Sequence, residues 1–160
     1  MKLLEKALQM EVDAGQYYHQ QAFKNQGHPL ENAFIVLARE ELKHEEIITK
    51  LLAGSPPTVD ESEVADSDRL FANLDDFKVE AGFIADQLEV YRSAMVMEQK
   101  MIDFYRDLAQ ELTEPKSQRL LSFLIKQEQR HLLLFETLEN LLQRPTDWVE
   151  SAEFGNREDY

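Results

Sequence analysis

The sequence repeats itself at a distance of 87 residues, and this repeat restricts the possible folds more than any other feature. An ungapped shift of 87 aligns Ala7 with Ala94, Met10 with Met97, Glu11 with Glu98, Tyr18 with Tyr105 and Ala22 with Ala109. The same shift aligns Leu37 with Leu124, Glu41 with Glu128, His44 with His131 and Leu51 with Leu138. A repeat of this kind predicts one supersecondary unit that is built twice and buries its apolar face against its copy.

Each copy of the repeat reads as a pair of helices. Four windows carry apolar residues at alternating spacings of three and four, and they cover about 2–25, 29–53, 83–112 and 115–143. Within them the only glycine is Gly15, and proline occurs only as a first residue. This spacing is typical of amphipathic helices with a bundle-type seam. Pro29 and Pro115 suit the first turn of the helix that follows each of them. Alternating strand patterns are scarce, so the sequence predicts an all-α fold.

The breaks between the windows predict how the helices connect. "NQGHP" and "TEP" are short, so the windows should pair into two antiparallel hairpins. The segment 54–82 is polar and acidic, contains two prolines, and suits a long crossover connection along a four-helix bundle, with a short helix at "DSDRLFANLDDF". We expect one bundle domain over 1–145 and a tail over 146–160, in which Trp148 and Phe154 are candidates for contact with the bundle.

Composition excludes several classes of function. The chain has 31 acidic and 17 basic residues and a net charge of −14, which argues against nucleic acid or an anionic membrane as partners. It has no cysteine, which excludes disulfides, zinc ribbons, thiolate iron sites and cysteine nucleophiles. Glu5 and Lys6 interrupt the apolar residues at the N-terminus, and no apolar run approaches the ~18 residues of a spanning helix, so we expect a cytoplasmic protein.

Six polar residues occupy positions in the apolar seams: Glu11, Glu41, His44, Glu98, Glu128 and His131. Within each hairpin the two glutamates are equidistant from the turn, with midpoints at Gln26 and Thr113. Residues equidistant from a tight turn lie at the same height, here roughly 22 Å from it at ~1.5 Å rise per residue. Each histidine follows a glutamate by three residues and shares its helix face. The six side chains should therefore converge at mid-bundle.

Four ionised carboxylates in a dry core would be severely destabilising without compensation. Two divalent cations would neutralise them, and a site rich in oxygen with added imidazole suits iron or manganese, and less naturally zinc. The predicted arrangement has Glu11 and Glu98 capping one metal ion each, the glutamates of the second and fourth helices bridging, and one histidine completing each ion. The alternative is a polar seam that serves bundle specificity. Two copies with turn-matched glutamates favour the metal site.

The segments that carry these residues resemble those of the rubrerythrin family of ferritin-like dinuclear carboxylate proteins. "EVDAGQYYHQQA" and "MEQKMIDFYRDLA" resemble the first and third helices of that family, and "AREELKHEEII" and "IKQEQRHLLLFETL" resemble the second and fourth. The resemblance covers about 2–143 and fills all six ligand positions. It implies a di-iron centre that reduces hydrogen peroxide or dioxygen in an oxidative-stress role, with electrons from a separate donor protein. It also implies a homodimer.

Two departures from the family pattern leave other functions open. Rubrerythrin proper carries a cysteine-ligated rubredoxin domain, whereas this sequence contains no cysteine, and Met95 stands where the family has a further glutamate. The ligand set therefore resembles the symmetrical one of bacterioferritin. Oxidation and storage of ferrous iron in a hollow multimer is one alternative, a manganese catalase-like role is another, and a metal-free or single-metal bundle acting through partner contacts is a third.

Other residues carry weaker predictions. Tyr18 and Tyr105 lie two turns past Glu11 and Glu98, and they are either hydrogen-bonding residues behind the ligands or core aromatics with a tethered hydroxyl. Gly15, one turn from Glu11, either leaves space beside the metals or allows close helix packing, which we favour.

Several further polar residues are expected at the surface. They are His19, His28, the glutamates 40, 45 and 46 around His44, and the acidic crossover residues at 60, 61, 63, 66 and 68. None of the glutamates around His44 has an acidic counterpart under the repeat, so we assign them to a solvated face.

Overall fold

The computed structural model describes residues 2–60, 62, 65–77 and 84–155, and the described part of the chain is helical with no strand. Helix α1 covers Lys2–Lys24, α2 covers Pro29–Leu52, α3 covers Ile84–Glu111 and α4 covers Pro115–Gly155. A segment in 3-10 conformation, Asp66–Phe77, is called the crossover helix below. The prediction of an all-α ferritin-like bundle is confirmed, as is the short helix in the crossover.

Local signals explain where α2 begins and ends. It starts at Pro29, and the Nδ1 atom of His28 accepts a hydrogen bond from the backbone N–H of Leu30, 3.1 Å away. At the other end Gly54 adopts a φ of 72°, and the N–H groups of Gly54 and Ser55 donate to the carbonyls of Leu51 and Lys50. This is the Schellman arrangement, which needs a left-handed residue and so favours glycine.

The helices pack as the predicted hairpins. Helix α1 packs along α2, and α3 packs along α4, with smaller contacts of α1 with α3 and of α2 with α4. The crossover helix lies against α2 and α4. It therefore covers the side of the bundle where the two Glu-x-x-His segments meet.

Two apolar clusters lie at different heights in the bundle, and a polar layer separates them. One cluster is rich in stacked aromatic rings and contains Tyr18, Phe34, Tyr91 and Phe135. The other contains Ala7, Ile48, Met101, Tyr105, Leu108, Leu121 and Leu124. Along every helix the seam glutamate falls between residues of the first cluster and residues of the second. The apolar clusters therefore shield this polar layer from solvent at both ends.

Helix α4 is longer than its sequence pattern indicates. It continues through Pro145 to Gly155, so part of the predicted tail is helical. The side chains of Trp148 and Phe154 lie outside the described residues, as do Glu61, Glu63 and part of the crossover. No helix in the described ranges has an apolar stretch of the length that a bilayer requires.

Candidate metal centre

The structure brings the six seam residues together in the polar layer. Each is nearly or fully buried, with at most 2% of its surface exposed. Their ligand atoms form two overlapping groups, each within 4.8 Å: Glu11, Glu41, His44 and Glu128 in the first, and Glu41, Glu98, Glu128 and His131 in the second. Glu41 and Glu128 belong to both groups, so two ions held here would share these carboxylates.

The Nδ1 atoms of both histidines face the carboxylates. His44 Nδ1 lies 3.4 Å from Glu11, 3.0 Å from Glu41 and 2.8 Å from Glu128. The two imidazole rings stack with 5.9 Å between their centroids.

The second histidine makes the corresponding set of contacts. His131 Nδ1 lies 3.0 Å from Glu41, 3.5 Å from Glu98 and 3.2 Å from Glu128. Each Nδ1 atom thus meets three carboxylates, whereas one N–H can fully satisfy only one acceptor.

The donors available to the carboxylates do not satisfy them. Buried oxygens of all four glutamates, including both oxygens of Glu128, have no hydrogen-bond partner, and neither has His131 Nδ1. Leaving such groups unsatisfied costs about 1–3 kcal/mol each, more if they are charged. Divalent cations would satisfy these oxygens and both Nδ1 atoms at once, so the residues present fit a pair of metal ions.

Two tyrosines connect the layer across the bundle. The hydroxyl of Tyr18 on α1 donates to Glu98 on α3, and the hydroxyl of Tyr105 on α3 donates to Glu11 on α1. Both rings are fully buried. Each hydroxyl thus binds a glutamate of the opposite helix, and each orients a carboxylate that belongs to one group only.

The prediction that Glu40 belongs to a solvated face is wrong. Glu40 is only 3% exposed, and its carboxylate lies 2.6 Å from His131 Nε2. The backbone N–H of Ser67, at the start of the crossover helix, donates to the other oxygen at 2.8 Å. Burial alone would raise the pKa of Glu40, but these hydrogen bonds and the charge of His131 lower it to about 2. Glu40 therefore holds His131 with Nδ1 turned toward the other carboxylates.

The cluster without metal balances its charge with protons. Burial, reinforced by Glu128, raises the pKa of Glu11 and Glu98 well above the usual value. Burial opposes the charge of Glu41, but the neighbouring imidazoles outweigh it and hold the pKa of this carboxyl low. Burial also disfavours charged His44 and His131, yet the facing carboxylates raise the pKa of both well above the usual value.

Burial and the charge of Glu41 would raise the pKa of Glu128, but the two imidazoles that face it outweigh them and lower this pKa. Two protonated glutamates, two ionised glutamates and two imidazolium rings give a neutral set of six. The same six groups would be neutral with two divalent cations once four protons had left.

None of the remaining polar candidates belongs to either group of ligand atoms. His19 and Glu46 are exposed as expected, and Glu45 is partly buried near Glu41. His28 is partly buried and caps α2. In the crossover, Asp60 accepts hydrogen bonds from Ser62 and Asp68 lies 3.5 Å from Arg130, so neither belongs to the buried cluster.

Replacing Gly15 by alanine should stabilise the protein. A Cβ at this position would lie 3.5 Å from Glu45 Oε1 and 3.6 Å from Glu41 Cβ, which is ordinary contact, so the site does not require glycine. Because alanine is favoured over glycine in a helix interior, the free energy of unfolding should rise by roughly 0.5–1 kcal/mol. Urea unfolding of Gly15→Ala measures this, with Ala14→Gly as the opposite change one residue away. A loss of stability in Gly15→Ala would show that the space is needed.

A bundle with Glu-x-x-His on two helices and a facing glutamate on each of the other two defines a ferritin-like carboxylate protein. Residues 2–139 match the family described as Rubrerythrin, and the chain therefore belongs to the rubrerythrin family. Neither the curated proteins nor the solved structures include a significant match. The resemblance noted in the sequence is confirmed at the level of the family.

Proposed function

We propose that this protein is a dinuclear iron oxidoreductase that reduces hydrogen peroxide or dioxygen with electrons from a separate donor protein. The observation that carries the proposal is the pair of overlapping ligand groups, which share two glutamates and leave carboxylate oxygens without partners. When bound, a pair of iron ions supplies the two electrons that a peroxide O–O bond takes up when it is cleaved. The donor, a homodimeric assembly and a cytoplasmic location complete the proposal as expectations.

The chain's own residues would hold the ions and restrict what reaches them. Glu11 and His44 would complete the first ion, Glu98 and His131 the second, and Glu41 and Glu128 would bridge. The apolar clusters on both sides exclude bulk water, which strengthens electrostatic interactions in the layer. Tyr18 and Tyr105 hold the terminal carboxylates by hydrogen bonds, and these contacts keep the carboxylates oriented if the ions change charge.

The test is metal analysis followed by separate mixing experiments. Protein purified without chelators should contain close to two metal ions per chain, with iron predominant. The anaerobic ferrous form should then be oxidised faster by peroxide than by dioxygen, and a reducing donor should restore it repeatedly. Metal content well under one ion per chain would reject the proposal in favour of a metal-free bundle.

Oxidation of ferrous iron for storage is the second candidate function. Met95, which replaces the further glutamate of the family pattern, is partly buried and packs against the aromatic cluster, which favours the symmetrical ligand set of bacterioferritin. Storage requires a hollow multimer, so light scattering separates the two: a dimer supports the oxidoreductase and a large cage supports storage. A manganese catalase-like role would instead show manganese in the purified protein and dioxygen release from peroxide without a donor.

Replacing Glu40 by glutamine should weaken one of the two metal positions. Glutamine keeps the shape but removes the charge that makes His131 a stronger ligand, and loss of such a partner typically costs 10–100-fold in metal affinity. A cobalt titration followed by visible absorption should change from one tight phase to two separated phases. Glu46→Gln, an exposed site on the same helix, is the control. An unchanged titration in Glu40→Gln would show that Glu40 does not act on the ion.

A further inference from the structure

The two hairpins differ at one pair of positions beside the polar layer. In the first hairpin the pair is Gly15 on α1 and Glu45 on α2, each one turn past a glutamate of the layer. The 87-residue repeat places Ile102 and Leu132 at the same positions of the second hairpin. Ile102 is 1% exposed and Leu132 is partly buried, so apolar side chains occupy both positions there. The first hairpin instead has a carboxylate beside a residue without a side chain.

The carboxylate of Glu45 lies in the seam between α1 and α2. Its Oε1 atom is 3.5 Å from the place that a Cβ on Gly15 would occupy, and Glu41 Cβ is 3.6 Å from the same place. Glu45 is partly buried. Among the residues that the structure describes, no hydrogen-bond donor and no cation contacts its carboxylate. The partial burial of this charge is therefore not compensated by any contact within the described bundle.

The inner end of the same seam carries acceptors without partners. Glu11 and Glu41, which precede Gly15 and Glu45 by one turn, are fully buried. Glu11 Oε2 and Glu41 Oε1 have no hydrogen-bond partner. Both glutamates belong to the first ligand group, so carboxylates extend from the partly buried Glu45 to that group. Carboxylate oxygens suit divalent cations, and an ion that moves inward here can exchange water for carboxylate ligands one at a time.

We propose that divalent metal ions enter the centre between α1 and α2, and that Glu45 is the first carboxylate to bind them. The matching place in the second hairpin offers no ligand to an ion, because Ile102 and Leu132 are apolar. Glu45 acts on the rate of uptake and leaves the final bound state unchanged, since it belongs to neither ligand group. The inference rests on the metal centre of the proposed function and is independent of the reaction with an oxidant.

The rate of cobalt uptake by the metal-free protein tests this route. In stopped-flow absorption, Glu45→Gln should bind cobalt about tenfold more slowly than the unaltered protein, because charges that line an entrance change association rates by such factors. Glu45→Asp keeps the charge, and its rate should stay within about threefold of that of the unaltered protein. The final cobalt content should be the same in all three proteins.

Glu46→Gln is the matched control. Glu46 is the next residue of α2 and is exposed, and its replacement removes the same charge from the protein. The uptake rate of this variant should change less than about twofold, which separates the position of Glu45 from the general attraction of cations to an acidic protein. Equal slowing in Glu45→Gln and Glu46→Gln would overturn the inference. A larger effect of Glu46→Gln would place the route elsewhere on α2 and overturn it equally.

A double variant copies the second hairpin into the first. Gly15→Ile with Glu45→Leu places apolar side chains at both positions and should slow cobalt uptake more than Glu45→Gln does. Circular dichroism checks its helix content, and Glu45→Gln alone decides if the double variant does not fold.

The outcomes also separate this inference from the proposed function. An unaltered protein that takes up no cobalt overturns both. Uptake of two ions at a rate that Glu45→Gln leaves unchanged overturns the inference alone. If Glu45→Gln slows uptake but the iron-loaded unaltered protein reduces neither peroxide nor dioxygen, the proposed function fails and the route stands.

Discussion

Alanine in place of Glu41 should reduce the metal content of the protein from about two ions per chain to well under one. Glu41 belongs to both ligand groups, so its loss removes a ligand and a negative charge from both metal positions at once. Glu11 belongs to one group only, and Glu11→Ala should keep about one ion. Metal analysis of the two purified variants, each checked for helix content by circular dichroism, measures the difference.

Glu45→Ala is the control for this comparison, because Glu45 lies one turn along the same helix and belongs to neither group. It should keep the metal content of the unaltered protein. The bridging role of Glu41 would be contradicted by a Glu41→Ala protein that still binds two ions. Equal losses in Glu11→Ala and Glu41→Ala would contradict the sharing of ligands between the two positions.

The pH dependence of stability should have opposite signs with and without metal. His44, His131, Glu11 and Glu98 have a raised pKa in the folded protein. For each of them, the folded state keeps a proton that the unfolded chain has already lost. The stabilisation that each group adds to the free energy of unfolding is fully present below the pKa of the unfolded chain, which is near 6.5 for histidine. This stabilisation is lost as the pH rises toward the pKa of the folded state. The metal-free protein should therefore lose roughly 1 kcal/mol per pH unit for each such group, starting above about pH 4.3 for the glutamates.

Metal binding reverses this trend because the ligands must give up their protons. The stabilisation by zinc should grow as pH rises, and binding of two ions should release about four protons, the number that separates the two neutral forms of the cluster. Thermal unfolding between about pH 6 and 8, with and without zinc, measures the first effect. Calorimetry in buffers of different ionisation enthalpy measures the second. A metal-free protein that gains stability across this range would contradict the protonated cluster.

Much of this protein follows from residues close together in the sequence. The spacing of apolar residues in four windows predicts four helices, and the short breaks predict two hairpins, because a tight turn leaves an antiparallel arrangement. The equal distances of Glu11 and Glu41 from their turn predict that these side chains share one height. The height of a side chain along a hairpin depends on the rise per residue and on its distance from the turn. The meeting of two side chains within one hairpin therefore follows from the sequence alone.

Glu40 and Gln127 show what local patterns do not reveal. Both lie next to the predicted apolar stripe of their helix, at positions that a wider buried face would include. Whether such an edge residue is solvated or buried depends on what covers it, and here the crossover helix lies over α2 and α4 and donates the Ser67 N–H to Glu40.

The sequence by itself thus determined the helices, their pairing and the six residues of the polar layer, since each depends on periodicity and on distance from a turn. The tertiary structure alone decided how the two halves of the layer differ. The repeat is nearly symmetrical, but one crossover covers one side of the bundle, and there Glu40 lies against His131 Nε2 and accepts from the Ser67 N–H, whereas the repeat counterpart of Glu40 is the amide Gln127. That asymmetry arises from packing between segments distant in the chain, which no spacing within a helix encodes.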